Sequence, residues 1–327
     1  MKLSILIPTY NRAKYLEYNL RQLVMYILND KLESKVCICI SDNASTDNTR
    51  EIVNKFMSLG VTIKYNRQKQ NLGYTKNVLS ILAIVNTDWV MLLGDDDYLD
   101  SWYIKECLAQ IASYPNLGCI IPNYIDYNTI TNEYGLLREE HCKTQYYAAG
   151  FQACLKNSWR AHQLSGLCFR RASVVEEYLK YNMNNLYPQM FFICYNALKY
   201  DVLHFGKRCL AVSGIPQTQK DWSYGDDGLM NEICENFKNL KISYRQRALL
   251  ESEFNKHEQR YLWACRSVDD GIDSILEARN ITLLGKYYIS RQFLKTNSYM
   301  GKKNRLWFYL VARIVLLKNI LQGNVFF

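Results

Sequence analysis

Apolar runs alternate with amphipathic stretches along the first third of the chain. Four runs have the β-branched and apolar composition of buried strands, at residues 3–7, 36–40, 61–65 and 88–91. The stretches between them predict helices, the first capped by Asn11, the second by Thr46 or Asp47, and the third running from about Tyr74 to Val85. This alternation predicts βαβ units and a mostly parallel sheet.

The second half of the chain has fewer clear signals. Residues 117–121 are predicted to form another strand, residues 124–134 a hairpin, and residues 164–171 a strand that enters a helix near Ala172. Pro188 is well placed in the first turn of a further helix.

Polar segments follow three of the first four strands, at residues 8–12, 41–47 and 94–97. The carboxyl ends of parallel strands lie at one edge of a sheet, and ligands of such sheets bind there. We therefore expect these segments to converge on one rim. Asp42, at the end of the second strand, could accept hydrogen bonds from a base or ribose. Its alternative role is an Asx-turn that only shapes the loop.

Asp95, Asp96 and Asp97 form the most informative of these segments. Three adjacent carboxylates repel one another, and none can enter a core without a partner. A Mg²⁺ or Mn²⁺ ion would compensate this charge, since such hard cations bind carboxylates together with substrate phosphates. The alternative is a solvated acidic turn that caps a helix predicted to start near Asp100.

Several common nucleotide-binding patterns are absent from the sequence. There is no GxGxxG and no GxxxxGK[ST] segment, which argues against a dinucleotide oxidoreductase and a P-loop enzyme. The strand-end motifs instead read Ile5-Leu6-Ile7-Pro8-Thr9-Tyr10-Asn11, Ser41-Asp42-Asn43-Ala44-Ser45-Thr46-Asp47, Asn71-Leu72-Gly73 and Gly94-Asp95-Asp96-Asp97. In this order and spacing they resemble family 2 glycosyltransferases of GT-A fold. The segment Gly94–Asp97 is also similar to abequosyltransferases and other deoxysugar transferases of O-antigen assembly.

The resemblance implies a nucleotide-diphosphate sugar donor, a Mg²⁺ or Mn²⁺ ion and an inverting displacement by an acceptor hydroxyl. Carried over by position, it assigns donor contacts to these residues: Pro8, Thr9, Tyr10, Asn11, Asp42, Lys76, Asn77, Asp95 and Asp96. Asp42 would contact the base. Lys76 or Asn77 would reach the donor, although Lys76 could equally be a solvated charge. Asp97 would be the principal metal ligand, with Asp96 near the ribose as the second.

Two departures from the family pattern bear on these assignments. Gly94 stands where the first acid of the usual Leu-Asp-x-Asp-Asp arrangement would be, so the pair of carboxylates that holds the ion is left open. The family's usual Glu-Asp base is missing, because residues 185–191 contain no acid. Asp226 and Asp227 are the candidates for the base, and their alternative role is a helix-capping turn. Trp222, in a loop beginning near Gly214, is expected to contact the acceptor, or else to be a packing anchor.

The resemblance divides the chain into a nucleotide-sugar half at residues 1–125, an acceptor half at residues 126–243 and a helical extension at residues 244–327. Within the extension, basic residues 302–305 precede the apolar segment 306–318. This segment is too short to cross a bilayer core of ~30 Å. It could lie on an anionic membrane, where a lipid-linked acceptor would be met. The alternative is a packed terminal helix or a homodimer contact.

Composition narrows the remaining classes of protein. The chain is 49% hydrophobic with a net charge of +9, and its 26 tyrosines suit sugar-binding surfaces. The basic residues gather beside apolar ones near the C-terminus, which argues against a nucleic-acid partner. Eleven cysteines without a CxxC pair predict a reduced, cytoplasmic protein without a zinc site, held at the inner face of the membrane if the extension binds lipid.

These observations favour an enzyme that transfers a sugar to a glycan or a lipid-linked saccharide during surface polysaccharide synthesis. Two alternatives remain at this stage. A sugar nucleotidyltransferase would want a glycine-rich loop with basic residues near the N-terminus, and none is present. A catalytically silent sugar-nucleotide binder would account for the missing Glu-Asp pair.

Overall fold

A computed structural model describes residues 2–128, 130–183, 185–214, 228–258 and 278–296, together with residues 310, 313, 314, 317, 320 and 321. The chain forms two compact units. The first comprises Met1–Cys154 and Arg160–Ser223, and the second comprises Leu155–Trp159 and Tyr224–Phe327. The predicted start of the helical extension, at residue 244, therefore falls inside the second unit.

The first unit is built on a ten-stranded sheet. Its strands are β1 Leu3–Thr9, β2 Val36–Asp42, β3 Ile63–Arg67, β4 Trp89–Leu92, β5 Tyr98–Leu99, β6 Leu117–Asn128, β7 Glu133–Leu137, β8 Gln145–Tyr147, β9 Cys168–Arg170 and β10 Asp201–Ser213. The helices before β10 are α1 Ala13–Asn29, α2 Thr49–Met57, α3 Tyr74–Ile84, α4 Tyr103–Ser113, α5 Phe151–Asn157, α6 Val174–Leu179 and α7 Pro188–Lys199, with a 3₁₀ turn at Trp159–His162.

The strand order is β3-β2-β1-β4-β9-β6-β10-β5, with β7 on β6 and β8 on β10. Strands β3, β2, β1 and β4 are parallel neighbours, as the sequence predicts, and β6 is parallel to β10. The other pairings are antiparallel, so the sheet is mixed in its second half. Strands β6 and β7 are joined by residues 129–132, a connection too short for the crossover that a parallel pair requires.

The first strands and helices pack against each other through buried apolar side chains. Every residue of β2 is buried, and so is nearly all of β1, which is typical of parallel strands covered on both faces. The predicted apolar stripe of α1 is buried as well, at Leu16, Leu20, Leu23, Val24 and Ile27. Each such side chain contributes roughly 1.5–3 kcal/mol on burial, so the stripe holds α1 in one orientation.

Two predictions about helix starts are wrong. Asn11 does not cap α1, because its φ angle of 52° places it in a left-handed turn before the helix. The backbone N–H of Ala13, the first residue of α1, instead donates to Oδ2 of Asp47 at 3.0 Å. Asp47 lies in the loop after β2. The acid triplet does not cap a helix either, since α4 begins at Tyr103 and β5 intervenes.

The described part of the second unit contains α8 Gly228–Lys238, α9 Tyr244–Glu258 and α10 Leu283–Thr296. Glu251 lies on α9 and is buried against the start of α10, where its carboxylate accepts hydrogen bonds from the backbone N–H and the hydroxyl of Thr282. Burial raises the pKa of Glu251 to about 7. Within the described residues, no helix combines the length and the apolar character needed to cross a membrane.

Candidate active site

The acid triplet lies in a turn at the carboxyl end of β4, where neighbouring elements hold its backbone. The side-chain amide of Asn19, on α1, donates to the carbonyl oxygens of Gly94 and Asp97 at 3.0 and 2.8 Å. The N–H of Gly94 donates to Ser165 Oγ at 2.8 Å. A Cβ at Gly94 would lie 3.0 Å from Asp97 Oδ2 and 3.3 Å from Asp96 Oδ1. The glycine that replaces the usual first acid therefore leaves room for the two carboxylates to turn inward.

Asp97 is buried and its carboxylate accepts hydrogen bonds from three neutral groups. The backbone N–H of Ser213, at the end of β10, donates to Oδ1 at 2.7 Å. The hydroxyl of Ser165 and the amide of Gln163 donate to Oδ2. Asp97 thus connects the turn after β4 to two segments of the second half of the chain.

Asp95 and Asp96 share the guanidinium of Arg12. Asp95 is buried, with Oδ1 3.0 Å from Arg12 Nε and Oδ2 accepting from Thr9 Oγ1 at 2.7 Å. Asp96 Oδ2 accepts from Arg12 Nη2. The side chain of Asp96 is 17% exposed, against 7% for Asp95, so Asp96 is the more accessible of this pair.

Among the described residues, the three carboxylates of the triplet are paired with only one positively charged side chain, Arg12. Burial, together with the charge of Asp96, raises the pKa of both Asp95 and Asp97 to about 7. Burial would lower the pKa of Arg12, but Asp95 and Asp96 outweigh this effect and raise it. Two carboxylates are thus costly to keep ionised at neutral pH. A divalent cation fits this set of oxygen ligands, since it would supply the missing positive charge.

The loops after β1 and β2 are bonded to each other beside the triplet. The N–H of Asn11 donates to Ser45 Oγ at 2.9 Å, and Asn11 Oδ1 accepts from the N–H of Thr46 at 2.7 Å. The segment before α3 joins them, because Asn43 Nδ2 donates to Asn71 Oδ1 at 2.7 Å. All four motifs therefore meet at one rim of the sheet.

Several residues predicted to contact the donor have partners within the protein. Asp42 is fully buried, with Oδ1 accepting from the N–H of Ser45 at 2.7 Å and Oδ2 from the hydroxyl of Tyr65 at 2.5 Å. Asn77 is buried and exchanges hydrogen bonds with Ser41. Lys76 is exposed on α3. The contacts of Asp42 and Asn77 shape the loops that form the rim.

Other predicted residues lie around the triplet or beyond the described chain. Pro8 is half-buried in β1, and Tyr10 is half-buried just after it. Trp222, Asp226 and Asp227 lie outside the described residues, so the acceptor contact and the base remain predictions.

The sequence did not single out five residues that hold or face the triplet. Arg12, Asn19, Gln163 and Ser165 bond to it directly, and burial beside Asp97 and Asp95 raises the pKa of Tyr74. Arg12 and Tyr74 stand within or next to the recognised motifs, which is the signal that could have found them.

A second titratable group of three lies elsewhere in the first unit. Glu139, Cys142 and His204 offer ligand atoms within 4.8 Å of one another, a set that the sequence did not predict. Both oxygens of Glu139 accept hydrogen bonds from Arg160, at 2.6 and 2.7 Å. Although burial raises the pKa of Glu139, Arg160 and His204 bring it down to about 2. The carboxylate is already neutralised, which favours a structural ion pair over a metal site.

Comparisons with known proteins identify the family to which this chain belongs. The family model for glycosyl transferase family 2 matches residues 4–179, more than half of the chain. Abequosyltransferase RfbV of Salmonella typhimurium is 39% identical over 116 residues, which are 35% of this chain and 32% of that protein. The chain thus spans about a third of the length of this curated relative.

Solved structures show the same fold. Staphylococcus aureus TarS 1-349 in complex with UDP-GlcNAc has a TM-score of 0.68 at 16% identity, covering 100% of this chain and 93% of that chain. The mannosyltransferase PcManGT from Pyrobaculum calidifontis, in complex with GDP-Man and Mn²⁺, has a TM-score of 0.52 at 13% identity, covering 98% and 87%. The chain belongs to glycosyl transferase family 2, a family of glycosyltransferase enzymes, and has the predicted GT-A fold.

Proposed function

We propose that this protein transfers a sugar from a nucleotide-diphosphate donor to a glycan or lipid-linked saccharide during surface polysaccharide synthesis. The observation that carries the proposal is the acid triplet at the rim, where burial raises the pKa of Asp95 and Asp97 to about 7. The named relatives support it, since abequosyltransferase RfbV and TarS, a poly(ribitol-phosphate) β-N-acetylglucosaminyltransferase, are sugar transferases.

Asp97 and Asp96 are the residues that would hold a Mg²⁺ or Mn²⁺ ion. Asp96 is accessible, and Asp97 lies beside it with a raised pKa that a cation would lower. When bound, such an ion supplies positive charge to the donor pyrophosphate and to the departing nucleotide. Arg12 contacts Asp95 and Asp96, and a bound cation would take over part of the neutralisation of these two carboxylates.

The donor pocket in this proposal is the rim formed by the four motifs. Pro8, Thr9, Tyr10 and Asn11 are at the end of β1, beside the triplet that Thr9 contacts. Asp42 and Asn77 support the pocket through their bonds to Tyr65 and Ser41. The bound donors of TarS and PcManGT make UDP-GlcNAc and GDP-mannose the first compounds to test.

The reaction in this proposal inverts the anomeric carbon. An acceptor hydroxyl is a poor nucleophile until a base removes its proton. Asp226 and Asp227 are our candidates for this base, and Trp222 is our candidate for an acceptor contact. They follow β10, whose last residue, Ser213, bonds to Asp97.

We also propose that the C-terminal segment lies on an anionic membrane. Its described residues are helical and exposed, and the apolar ones are Leu310, Ile314, Leu317, Ile320 and Leu321. Their spacings of three and four residues place them on one face of a helix. Arg313 is exposed as well, and a cation beside an apolar face suits anionic lipid.

Donor binding tests the central claim. Thermal stabilisation by a panel of nucleotide sugars, measured with Mn²⁺ and with EDTA, should reveal at least one compound that binds only with the metal. Asp97→Asn should weaken that binding at least tenfold, because it removes one negative charge from the carboxylates proposed to hold the metal ion. Asp30→Asn is the matched control, since Asp30 forms an exposed pair with Lys105. Equal binding by Asp97→Asn, with or without chelator, would contradict the proposal.

Turnover separates the alternatives. Slow metal-dependent release of nucleotide from the bound donor needs no acceptor and identifies an enzyme, whereas a silent binder releases none. A nucleotidyltransferase would instead release pyrophosphate when supplied with a nucleoside triphosphate and a sugar phosphate.

A further inference from the structure

Four tyrosines form a continuous strip across the first unit. The rings of Tyr18 and Tyr98 have centroids 4.8 Å apart, those of Tyr98 and Tyr127 are 6.2 Å apart, and those of Tyr127 and Tyr134 are 4.9 Å apart. The residues come from α1, β5 and the hairpin of β6 and β7. We call this set the tyrosine strip.

The tyrosine strip passes beside the acid triplet at its second ring. Tyr98 directly follows Asp97 in the chain. Tyr127 is paired in register with Ser213, whose N–H donates to Asp97. From Tyr98 and Tyr127 the strip continues to Tyr134 on β7, the outer strand of a hairpin. The strip thus leads outward from the rim where a sugar would be transferred.

The strip is accessible along its length. Tyr134 is 63% exposed and Tyr18 is 50% exposed, while Tyr98 and Tyr127 are half-buried. Polar groups border the rings, because the hydroxyl of Tyr127 donates to Asn132 and the guanidinium of Arg208 lies 5.9 Å from the ring of Tyr134.

Exposed tyrosines with polar borders match the chemistry of a saccharide. The negative face of an aromatic ring attracts the polarised C–H groups of a sugar ring, and the phenol oxygen can bond to its hydroxyls. Tyrosine also offers a large contact area at low cost in side-chain entropy. A neutral glycan can satisfy both requirements over several consecutive rings.

We propose that the tyrosine strip binds the saccharide chain of the acceptor on its way to the acid triplet. This inference rests on the proposed function, since it needs a transfer site next to Tyr98. It identifies the acceptor as an oligosaccharide that extends over several sugar units, rather than a single small alcohol.

The chain provides a matched control. Tyr114 and Tyr146 form another exposed ring pair, with centroids 4.7 Å apart. Tyr146 is on β8, which pairs with the first residues of β10, and Tyr114 precedes the start of β6. This pair is therefore at the amino ends of the strands, opposite the rim. It has the same residue type and similar exposure but no connection to the triplet.

Saturation-transfer NMR with maltohexaose, cellohexaose and chitohexaose at millimolar concentration tests the proposal on the full chain. At least one hexasaccharide should bind the unaltered protein. Tyr18→Ala and Tyr134→Ala should each weaken that binding at least fivefold, because each removes an exposed ring. Tyr134→Phe, which keeps the ring, and Tyr114→Ala should stay within twofold of the unaltered protein.

Three results would overturn the proposal: no saturation transfer to any of the three saccharides, binding that survives both alanine variants, or equal loss in Tyr114→Ala. Loss of binding to phosphatidylglycerol vesicles in Tyr134→Ala, without saccharide binding, would assign the strip to lipid instead. Metal-dependent stabilisation by nucleotide sugars is measured on the same samples. Its absence would refute the proposed function, whereas its presence with no effect at the tyrosines would refute only the strip.

Discussion

At the scale of single residues, the guanidinium of Arg12 pairs with only two of the three carboxylates of the triplet. Arg12 contacts Asp95 and Asp96, while the hydrogen bonds to Asp97 come from the neutral groups of Ser165, Gln163 and Ser213. Neutral donors stabilise a buried carboxylate less than a full charge does. A bound proton or a cation would therefore stabilise Asp97 at neutral pH, where burial raises its pKa to about 7.

The raised pKa values predict how stability depends on pH without metal. A carboxyl whose folded pKa is about 7, against 3.8 as its ordinary value, binds its proton more tightly in the folded state. The free energy of unfolding should therefore fall as pH rises from about 4 to 7. Asp95→Asn removes one such group, so its melting temperature relative to the unaltered protein should rise between pH 5 and pH 8 in EDTA.

Thermal melts of both proteins across this range provide the measurement. Saturating Mn²⁺ should reduce the difference, because a bound cation keeps the carboxylates ionised. Glu251→Gln serves as a comparison, since Glu251 also has a pKa of about 7 but belongs to the second unit, so its pH dependence should not respond to Mn²⁺. A difference that stays constant with pH would mean that Asp95 is ionised throughout.

The sequence predicts that the three carboxylates of the triplet lie at the rim. It does not predict which side chains bond to them. Arg12 meets Asp96 because β1 and β4 are adjacent in the sheet, with Leu6 opposite Leu92. The hydrophobic pattern predicts both strands but does not determine which strands are neighbours. Gln163 and Ser165 come from a loop that carries no motif, so no local signal identifies them.

At the scale of elements, the strand-end loops use their polar side chains on one another. Asn11 was predicted to cap α1 and bonds to Thr46 instead, and Asp47 supplies the acceptor for the start of α1. Asp42 likewise accepts a hydrogen bond from the N–H of Ser45, three residues further on in its own loop. Residues of the same type serve ligands and loops, and spacing alone does not separate the two uses.

The C-terminal helical residues give a prediction at the same scale. Ile314→Asp combined with Leu317→Asp places two charges on the exposed apolar face, which should abolish flotation with phosphatidylglycerol liposomes. The matched control is Leu179→Asp, an exposed leucine on α6 in the first unit. Liposome binding that persists in the double variant would remove this face from the proposal and leave a packed helix or a homodimer contact.

At the scale of the whole molecule, sequence predicts the first half of the fold better than the second. The parallel strands β1 to β4 each follow a helix or precede one, so their pattern is periodic and readable. The predicted strand at residues 164–171 is confirmed only as the short β9, whereas β5 and β8, of two and three residues, were not predicted and join the sheet antiparallel. Segments this short carry no detectable period, and only tertiary pairing defines them.

The catalytic base is the prediction that concerns residues outside the described part of the chain. If Asp226 or Asp227 accepts the proton of the acceptor hydroxyl, its replacement by Asn should lower acceptor-dependent transfer by about 10²–10⁴-fold. Donor affinity should change little, because the proposed donor pocket is the rim of β1, β2 and β4. Measuring transfer, donor binding and acceptor-independent hydrolysis in each variant distinguishes these effects.

The matched control for the base is Glu176→Gln, an exposed acid on α6. A loss confined to one of the two aspartates identifies the base and leaves the other as a helix cap. Full transfer activity in both variants would place the base elsewhere in the chain. Residues 185–191, where the family's usual base would lie, contain no acid. Gln189, at the start of α7, is buried and bonded to the carbonyl of His162, and its amide cannot accept a proton as a carboxylate would. This segment therefore offers no competing base in the test of Asp226 and Asp227.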